Sequence, residues 1–364
     1  MKNYLDFEKN IKKLEESLKN LKDPFQNQGL SKIETEKISN IQIEIDQKLK
    51  EIYKNLNPWE KTLVARHENR PKSNFFINEL FEDFVPLEGD RFYSEDKSVT
   101  TGFARFNNTS VLIIGQEKGE DLNSRIEKNF GMMRPEGYRK SIRLMKLADK
   151  FNIPIIIFID TPGAYPGAGA EERGQAEAIA RSIQCSMEIK VPTVSIIIGE
   201  GGSGGAIALA SSNRVLMLEN AIYSVISPEG CATILWRDPS KTLQAAQAMK
   251  LSADDLLNLG VIDEVITEPV GGAHRNREEM VKNIKLALEK NLYDLLKMNR
   301  EQIFQDRKNK FLNIGRQRGF QGKIKNSNNL VMKKNFYDNY LMLIKKYKIP
   351  IFSIICLFLI FFLL

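Results

Sequence analysis

The residues best suited to chemistry lie in Gly199-Glu200-Gly201-Gly202-Ser203-Gly204-Gly205-Ala206, between an apolar run over 192–198 and a small-residue run over 207–210. A strand that enters a glycine cluster and leaves as a helix presents amides without internal partners at the helix's positive end. Lacking Cβ atoms, such a turn lies flush against a ligand and suits an anion or a developing oxyanion. Three chemistries fit these residues. Gly199-x-Gly201-x-x-Gly204, with Glu219 about twenty residues on, matches a dinucleotide fingerprint. Gly201-x-Ser203-x-Gly205 matches a nucleophile elbow, with Asp263 and His274 following in hydrolase order. A bare oxyanion hole needs only the amides, and close helix–strand packing alone would also favour glycine.

A second glycine loop, Thr161-Pro162-Gly163-Ala164-Tyr165-Pro166-Gly167, follows another apolar run. Amides from two such loops can converge on one oxygen. Side-chain acids and bases are sparse. His67 sits in a charged stretch that reads as solvated or partner-facing, and His274 reads as a turn histidine bonded to backbone. The pattern lacks a Walker lysine motif, a HExxH pair and a kinase set. An enzyme that works through backbone amides, with its base supplied by substrate or cofactor, fits this inventory best.

The elements that must position these loops follow from periodicity. Strands are predicted over 111–114, 154–159, 193–198, 215–218 and 223–226, and helices over 135–151 and 171–190. Ser227-Pro228-Glu229 reads as a cap opening a short helix, and 277–318 as a charged amphipathic helical region. Buried strands alternating with helices predict an α/β core covered on both faces. Ahead of it, residues 1–57 carry leucines and isoleucines at helical spacing on either side of a break at Asp23-Pro24. This reads as a helical hairpin arm whose apolar stripe is covered at a subunit interface.

The net charge of +7 belongs to a tail. Between Lys308 and Lys348 eleven Lys or Arg face one acid, Asp338, leaving 42 basic against 45 acidic residues elsewhere. The body therefore has no nucleic-acid footprint. Three scattered cysteines, Cys185, Cys231 and Cys356, exclude a zinc ribbon or disulfide framework and suit a reducing cytoplasm. No apolar leader opens the chain, so secretion is not expected. A basic linker over 319–348 leads to the apolar stretch 349–364, slightly short of the roughly 17-residue minimum for a span, which suggests membrane contact or packing on the body.

Several long motifs, in order, carry a family resemblance: Lys128-Asn129-Phe130-Gly131-Met132, Pro135-Glu136-Gly137-Tyr138-Arg139-Lys140, Phe158 through Gly167, Ala170 through Gln175, Ile198 through Ala206, Tyr223 through Ala232, and Gly271-Gly272-Ala273-His274-Arg275. From about Asp6 to Arg318 the chain resembles alpha subunits of bacterial acetyl-CoA carboxylase carboxyltransferase, of the crotonase-like superfamily. The resemblance implies a crotonase-like spiral of ββα units, with an N-terminal helical arm (1–57), a carboxyltransferase domain with C-terminal helices (58–318), the linker and the apolar tail. It implies transfer of CO2 from carboxybiotin, carried on a biotin carboxyl carrier protein, to acetyl-CoA, giving malonyl-CoA for fatty-acid synthesis. The implied partners are a zinc-bearing beta subunit in an α2β2 assembly, the carrier protein and biotin carboxylase, within an ATP-dependent cytoplasmic complex. No metal is expected in this chain. Carried onto this sequence, the Gly205 and Ala206 amides would stabilise the ureido oxygen as CO2 leaves, with Gly204 shaping the turn. Gly163 and Ala164 would line the opposite wall, and Gly201, Gly202 and Ser203 would complete the substrate side. Arg125, Lys128, Arg139 and Lys140 are cations that would meet CoA phosphates or the carrier protein, or stand solvated. A serine esterase (Ser203, Asp263, His274) and a non-catalytic assembly subunit are the competing readings.

Overall fold

The computed structural model describes residues 3–22 and 32–316. Its core is one eight-stranded sheet. An antiparallel start, β1 (Glu82–Pro86), β2 (Val99–Phe106) and β3 (Thr109–Gln116), leads into parallel β4 (Ile155–Thr161), β5 (Thr193–Gly202), β6 (Arg214–Leu218) and β8 (Glu264–Ile266), adjacent in that order. β7 (Ile222–Ser224) also pairs with β5. β6 lies beside Val194–Ile197 and β7 beside Glu200–Gly202, so the two share the edge of β5 that β4 leaves free. Apart from β7, which returns to the edge of β5, the strand order advances in one direction, as the expected spiral requires. A dinucleotide-binding sheet reverses its order and opens a crevice at the switch; this sheet has no such point.

Every residue of β4 and β5 is buried. The β-branched runs Ile155–Ile157 and Thr193–Ile198 suit strands covered on both faces. On one side α4 (Ser73–Leu80) and α13 (Arg277–Leu296) pack together and against the sheet. On the other, α6 (Pro135–Lys150) and α9 (Ser203–Ala210) meet the strands, and α8 (Gln175–Glu188) packs on both of these helices. The predicted helix over 171–190 is two elements, α7 (Ala168–Glu172) and α8. Between them Gly174 adopts φ +81°, which ends one helix and starts the next. The 277–318 region likewise divides into α13 and α14 (Arg300–Asn313), because Asn299 caps the second helix through Gln302 N.

Helices α1 (Lys9–Lys22) and α2 (Lys32–Lys54) bury Ile11, Leu18, Ile45 and Leu49 against each other. Part of the stripe is thus covered within the hairpin, while Leu14, Ile38, Ile41 and Ile52 are only partly buried. Arg275 ties the hairpin to the body, donating to Glu8 at 2.8 Å and Glu15 at 2.7 Å. The remaining helices are α3 (Pro58–Ala65), α5 (Leu122–Glu127), α10 (Pro228–Trp236), α11 (Thr242–Met249) and α12 (Ala253–Asn258). Ser227 caps α10 through Gly230 N, with Pro228 in its first turn, as its sequence predicts. Among the described residues no helix is long and apolar enough to cross a membrane. The basic linker and the apolar stretch 349–364 lie outside them.

Candidate functional site

Both glycine loops leave the carboxyl ends of adjacent strands, β4 and β5, and meet through backbone. A Cβ on Gly205 would lie 2.6 Å from the Gly163 carbonyl carbon and 2.8 Å from Ala164 N, and one on Gly202 would overlap Pro162. These two positions must be glycine for the loops to touch. Gly201 abuts the Tyr223 ring, where β7 joins the edge. Gly204 differs: a Cβ there would make ordinary contact with Ile179 at 3.5 Å.

No side chain caps α9. Its amides up to Gly205 therefore have neither internal nor side-chain partners among the described residues. Ser203 and Gly204 are half-buried, whereas Gly205 and Ala206 are buried. On the facing loop the Gly163 amide donates to Thr161 Oγ1 at 3.2 Å, so Gly163 contributes wall and not a free donor. Beyond the first turn of α9, Ile207, Tyr223, Ile226, Cys231, Ile234 and Met249 help line an apolar cavity of about 530 Å³.

Beneath the loops runs a chain of charges absent from the sequence reading. Lys118 Nζ bridges Asp160 Oδ1 at 2.8 Å and Glu200 Oε2 at 2.6 Å. The Asp160 oxygen also accepts from Glu200 N at 3.0 Å. Arg66 donates to Glu200 Oε1 at 2.6 Å and to Glu229, in the first turn of α10, at 2.5 Å. Burial would raise the Glu200 carboxyl, but Lys118 and Arg66 outweigh it and hold it down at about 2. Burial likewise opposes the Lys118 ammonium, and its two carboxylates overcome this and raise it. Lys72, also buried, is pushed down to about 8 by burial, against the pull of Asp160.

Ser203 carries φ +50°, the strained turn of a nucleophile elbow, but the triad does not form. Asp263 pairs with Val215 N at 2.6 Å and with Lys310, at the amino end of β6. Ser203 follows the carboxyl end of β5, roughly 25 Å away along the parallel strands. His274 stacks on His67 with centroids 3.9 Å apart and planes 14° apart. His67 is buried, its Nε2 2.9 Å from Asn3 O, which corrects its reading as a solvated residue. Among the described residues His274 Nδ1 has no hydrogen-bond partner, against the expectation of a backbone-bonded turn histidine. The dinucleotide reading fails too, because Glu219 accepts from Glu268 N at 3.0 Å instead of facing the glycine turn. Among the expected phosphate contacts, Lys140 is buried, bonded to Glu95 and to the Asp96 and Val99 carbonyls. Arg139 lies over the Phe92 ring and donates to Arg173 O. No group of three or more His, Cys, Asp or Glu among the described residues could hold a metal ion.

Residues 4–315 match the family described as acetyl co-enzyme A carboxylase carboxyltransferase-like. The chain is 66% identical over 351 residues to the acetyl-coenzyme A carboxylase carboxyl transferase subunit alpha of Pelagibacter ubique, covering 94% of this chain and 95% of the relative. It is 52% identical over 313 residues to the protein of that name from Cereibacter sphaeroides, covering 86% and 98%. The share aligned with the Pelagibacter protein is too large to end at residue 318, so the similarity enters the basic linker. Among solved structures, transcarboxylase 12S with methylmalonyl-coenzyme A and methylmalonic acid bound superposes with a TM-score of 0.50 at 20% identity, over 62% of this chain and 44% of that one. That likeness concerns the fold.

Proposed function

The chain belongs to the acetyl co-enzyme A carboxylase carboxyltransferase-like family, and from that premise we propose that it is the alpha subunit of an acetyl-CoA carboxylase carboxyltransferase. The observation that carries the reading is the 66% identity spanning nearly the whole of both chains. The proposed reaction moves CO2 from carboxybiotin on a biotin carboxyl carrier protein to acetyl-CoA, yielding malonyl-CoA for fatty-acid synthesis. The proposed assembly is an α2β2 tetramer with a zinc-bearing beta subunit, served by biotin carboxylase in the ATP-dependent cytoplasmic complex. Within the chain we assign 1–57 to the arm, 58–318 to the carboxyltransferase domain and 319–364 to linker and tail, with membrane contact through 349–364 as a separate proposal.

Carboxybiotin, when bound, supplies the carboxyl group and the base for the acetyl proton. This chain's part is to stabilise negative charge on the ureido oxygen. The uncapped amino terminus of α9 fits that task, because its donors are rigid and uncharged and sit at the positive end of a helix. We assign the donors to Gly205 and Ala206, with Gly204 shaping the turn. Gly201, Gly202 and Ser203 form the strand-side wall, and Gly163 and Ala164 the facing one. Each donor contributes about 3 kcal/mol to the transition state, by the measure of other oxyanion donors. Carboxyl transfer assayed with this chain alone, then with a cognate beta subunit, tests the reading. Activity in the mixture alone is expected; stable co-purification without activity would instead favour an assembly protein.

A further inference from the structure

The glycine loops hold their mutual position through backbone contact. Gly202 and Gly205 pack on the backbone of Pro162–Ala164, so any slide of the β4 end against the β5 end separates the two walls. Main-chain pairing between these strands is irregular just there, with the register shifting between Ile159 and Thr161. Side chains take over at that point. Asp160 stands at the end of β4 and Glu200 near the end of β5, and one ammonium, from the segment after β3, holds both. Asp160 also accepts the Glu200 amide, so three strand ends share one hydrogen-bonded node. Arg66 extends the node to Glu229 and α10.

We propose that Lys118 is a positioning residue of the site, fixing the ends of β3, β4 and β5 so that the facing glycine loops keep their separation. The inference rests on the carboxyltransferase reading for its catalytic consequence but not for its structural one. Lys118 touches none of the proposed donors; it acts through Asp160 and Glu200. The charged groups around the node are those two carboxylates, Arg66 from the end of α3 on Glu200, and Lys72 from the segment before α4, which acts on both Asp160 and Lys118; Arg70 and Arg125 in turn act on Lys72, and Glu117, beside Lys118 in sequence, pairs with Lys128.

Removing the ammonium leaves two buried carboxylates that met at one nitrogen. Such a pair repels, with Arg66 and Lys72 the cations left beside it, and one member then takes up a proton more readily than in the wild type. A proton on either carboxyl removes the repulsion that replaces the lost link. In Lys118→Met the protonated pair is thus the better-ordered one, and order is lost as pH rises. Beside Lys118 and Arg66 the Glu200 carboxyl is held at about 2, so the wild type carries it ionised throughout this range.

The test is carboxyl transfer by the reconstituted complex from pH 6 to pH 8.5, with amide exchange across 160–164 and 199–206 in the full free chain. A misplacement on the order of 1 Å can cost about 100-fold in rate. Lys118→Met is expected to lose about 10- to 100-fold in kcat at pH 8, to recover several-fold toward pH 6, and to leave the KM for acetyl-CoA within about threefold. Lys118→Arg keeps the cation and is expected to stay near wild type. Lys118→Met combined with Glu200→Gln removes the carboxylate pair and is expected to lose the acid recovery. Wild-type activity of Lys118→Met at every pH, or a loss that is flat with pH and unrelieved by Lys118→Arg, overturns the proposal. Should the wild-type complex show no transfer, the functional reading fails. The positioning role then stands or falls on exchange, expected to quicken in both loops in Lys118→Met but not in Lys118→Arg. If Lys118→Met does not fold, Glu200→Gln alone serves, with faster exchange at 160–164 expected and unchanged exchange overturning the inference.

Discussion

Adding one methyl group at Gly205 tests the apposition of the two loops most sharply. In Gly205→Ala the new carbon would meet the Gly163 carbonyl carbon at 2.6 Å, Ala164 N at 2.8 Å and Gly163 O at 2.8 Å, all of them backbone atoms without a rotamer to yield. Ordinary contact begins near 3.4 Å. The walls must therefore part by roughly 0.8 Å, and a shift of about that size can cost on the order of 100-fold in rate. Stability responds far less. Overpacking costs about 1–3 kcal/mol, while alanine in place of glycine inside a helix returns up to about 1 kcal/mol. The melting temperature should fall by only a few degrees. Gly204→Ala is the matched control for stability, since its methyl meets Ile179 at 3.5 Å; it should melt at or above the wild type. Malonyl-CoA formation by the reconstituted complex and thermal unfolding of the free chain read the two effects. A Gly205→Ala complex with transfer within threefold of wild type and an unchanged melting temperature would refute the close approach, and with it the assignment of the cradle.

Two further predictions concern the frame. Arg307 is buried and donates to the carbonyls of Ser186, Ile189 and Val191 as well as to Asn213 Oδ1, closing the end of α8 and the entry to β5. Arg307→Met orphans these acceptors at about 1–3 kcal/mol each before relaxation, so the urea midpoint should drop markedly; a change under 1 kcal/mol would contradict it. The stacked histidines make stability fall in acid. Burial, then His67 and nearby arginines, push His274 down to about 2, so the folded chain resists a proton that the unfolded chain accepts below about 6.5. Stability is complete above that pH and declines below it, by up to about 2 kcal/mol at pH 5 from His274. Urea unfolding at pH 7.5 and pH 5 should show this loss in the wild type and a smaller one in His274→Gln; equal losses would sink the account.

The parts of the fold legible in the sequence were those with local periodicity. Ile155–Ile159 and Thr193–Ile198 could only be buried strands, and α6 begins at Pro135 as its sequence predicts. The break at Gly174 was hidden because a single glycine within Ala170–Ala180 does not show whether it adopts a positive φ. His67 was misread for a similar reason. Its neighbours Arg66, Glu68 and Arg70 look like a solvated stretch, yet Arg70 is buried, paired with the buried Glu268 and bonded to Ile198 O. Such partners lie far apart in sequence and leave no local trace, as with Lys118, Asp160 and Glu200. The glycine positions were readable, but which of them bear the contact was not. Only the backbone separates Gly202 and Gly205, which cannot accept a methyl, from Gly204, which can.

The same eight residues fitted a dinucleotide turn, a nucleophile elbow and an oxyanion cradle because all three begin as a strand, a tight turn and a helix amino terminus. Side chains at a distance and the order of the strands decide among them. A nucleophile elbow needs its histidine and acid at the carboxyl end of the sheet, and here Asp263 lies at the other end while His274 is stacked on His67. A dinucleotide turn needs a reversal of strand order, and here β4, β5 and β6 are each laid beside their predecessor in one direction, with β8 following β6. That winding brings the β4 and β5 loops together at adjacent strand ends, where the Pro162–Ala164 backbone packs on Gly202 and Gly205. A cradle made of main chain has no side chain to tune, so its geometry depends on what holds the strand ends. This makes the buried charges beneath the loops, not the glycines alone, the place where catalytic precision is set.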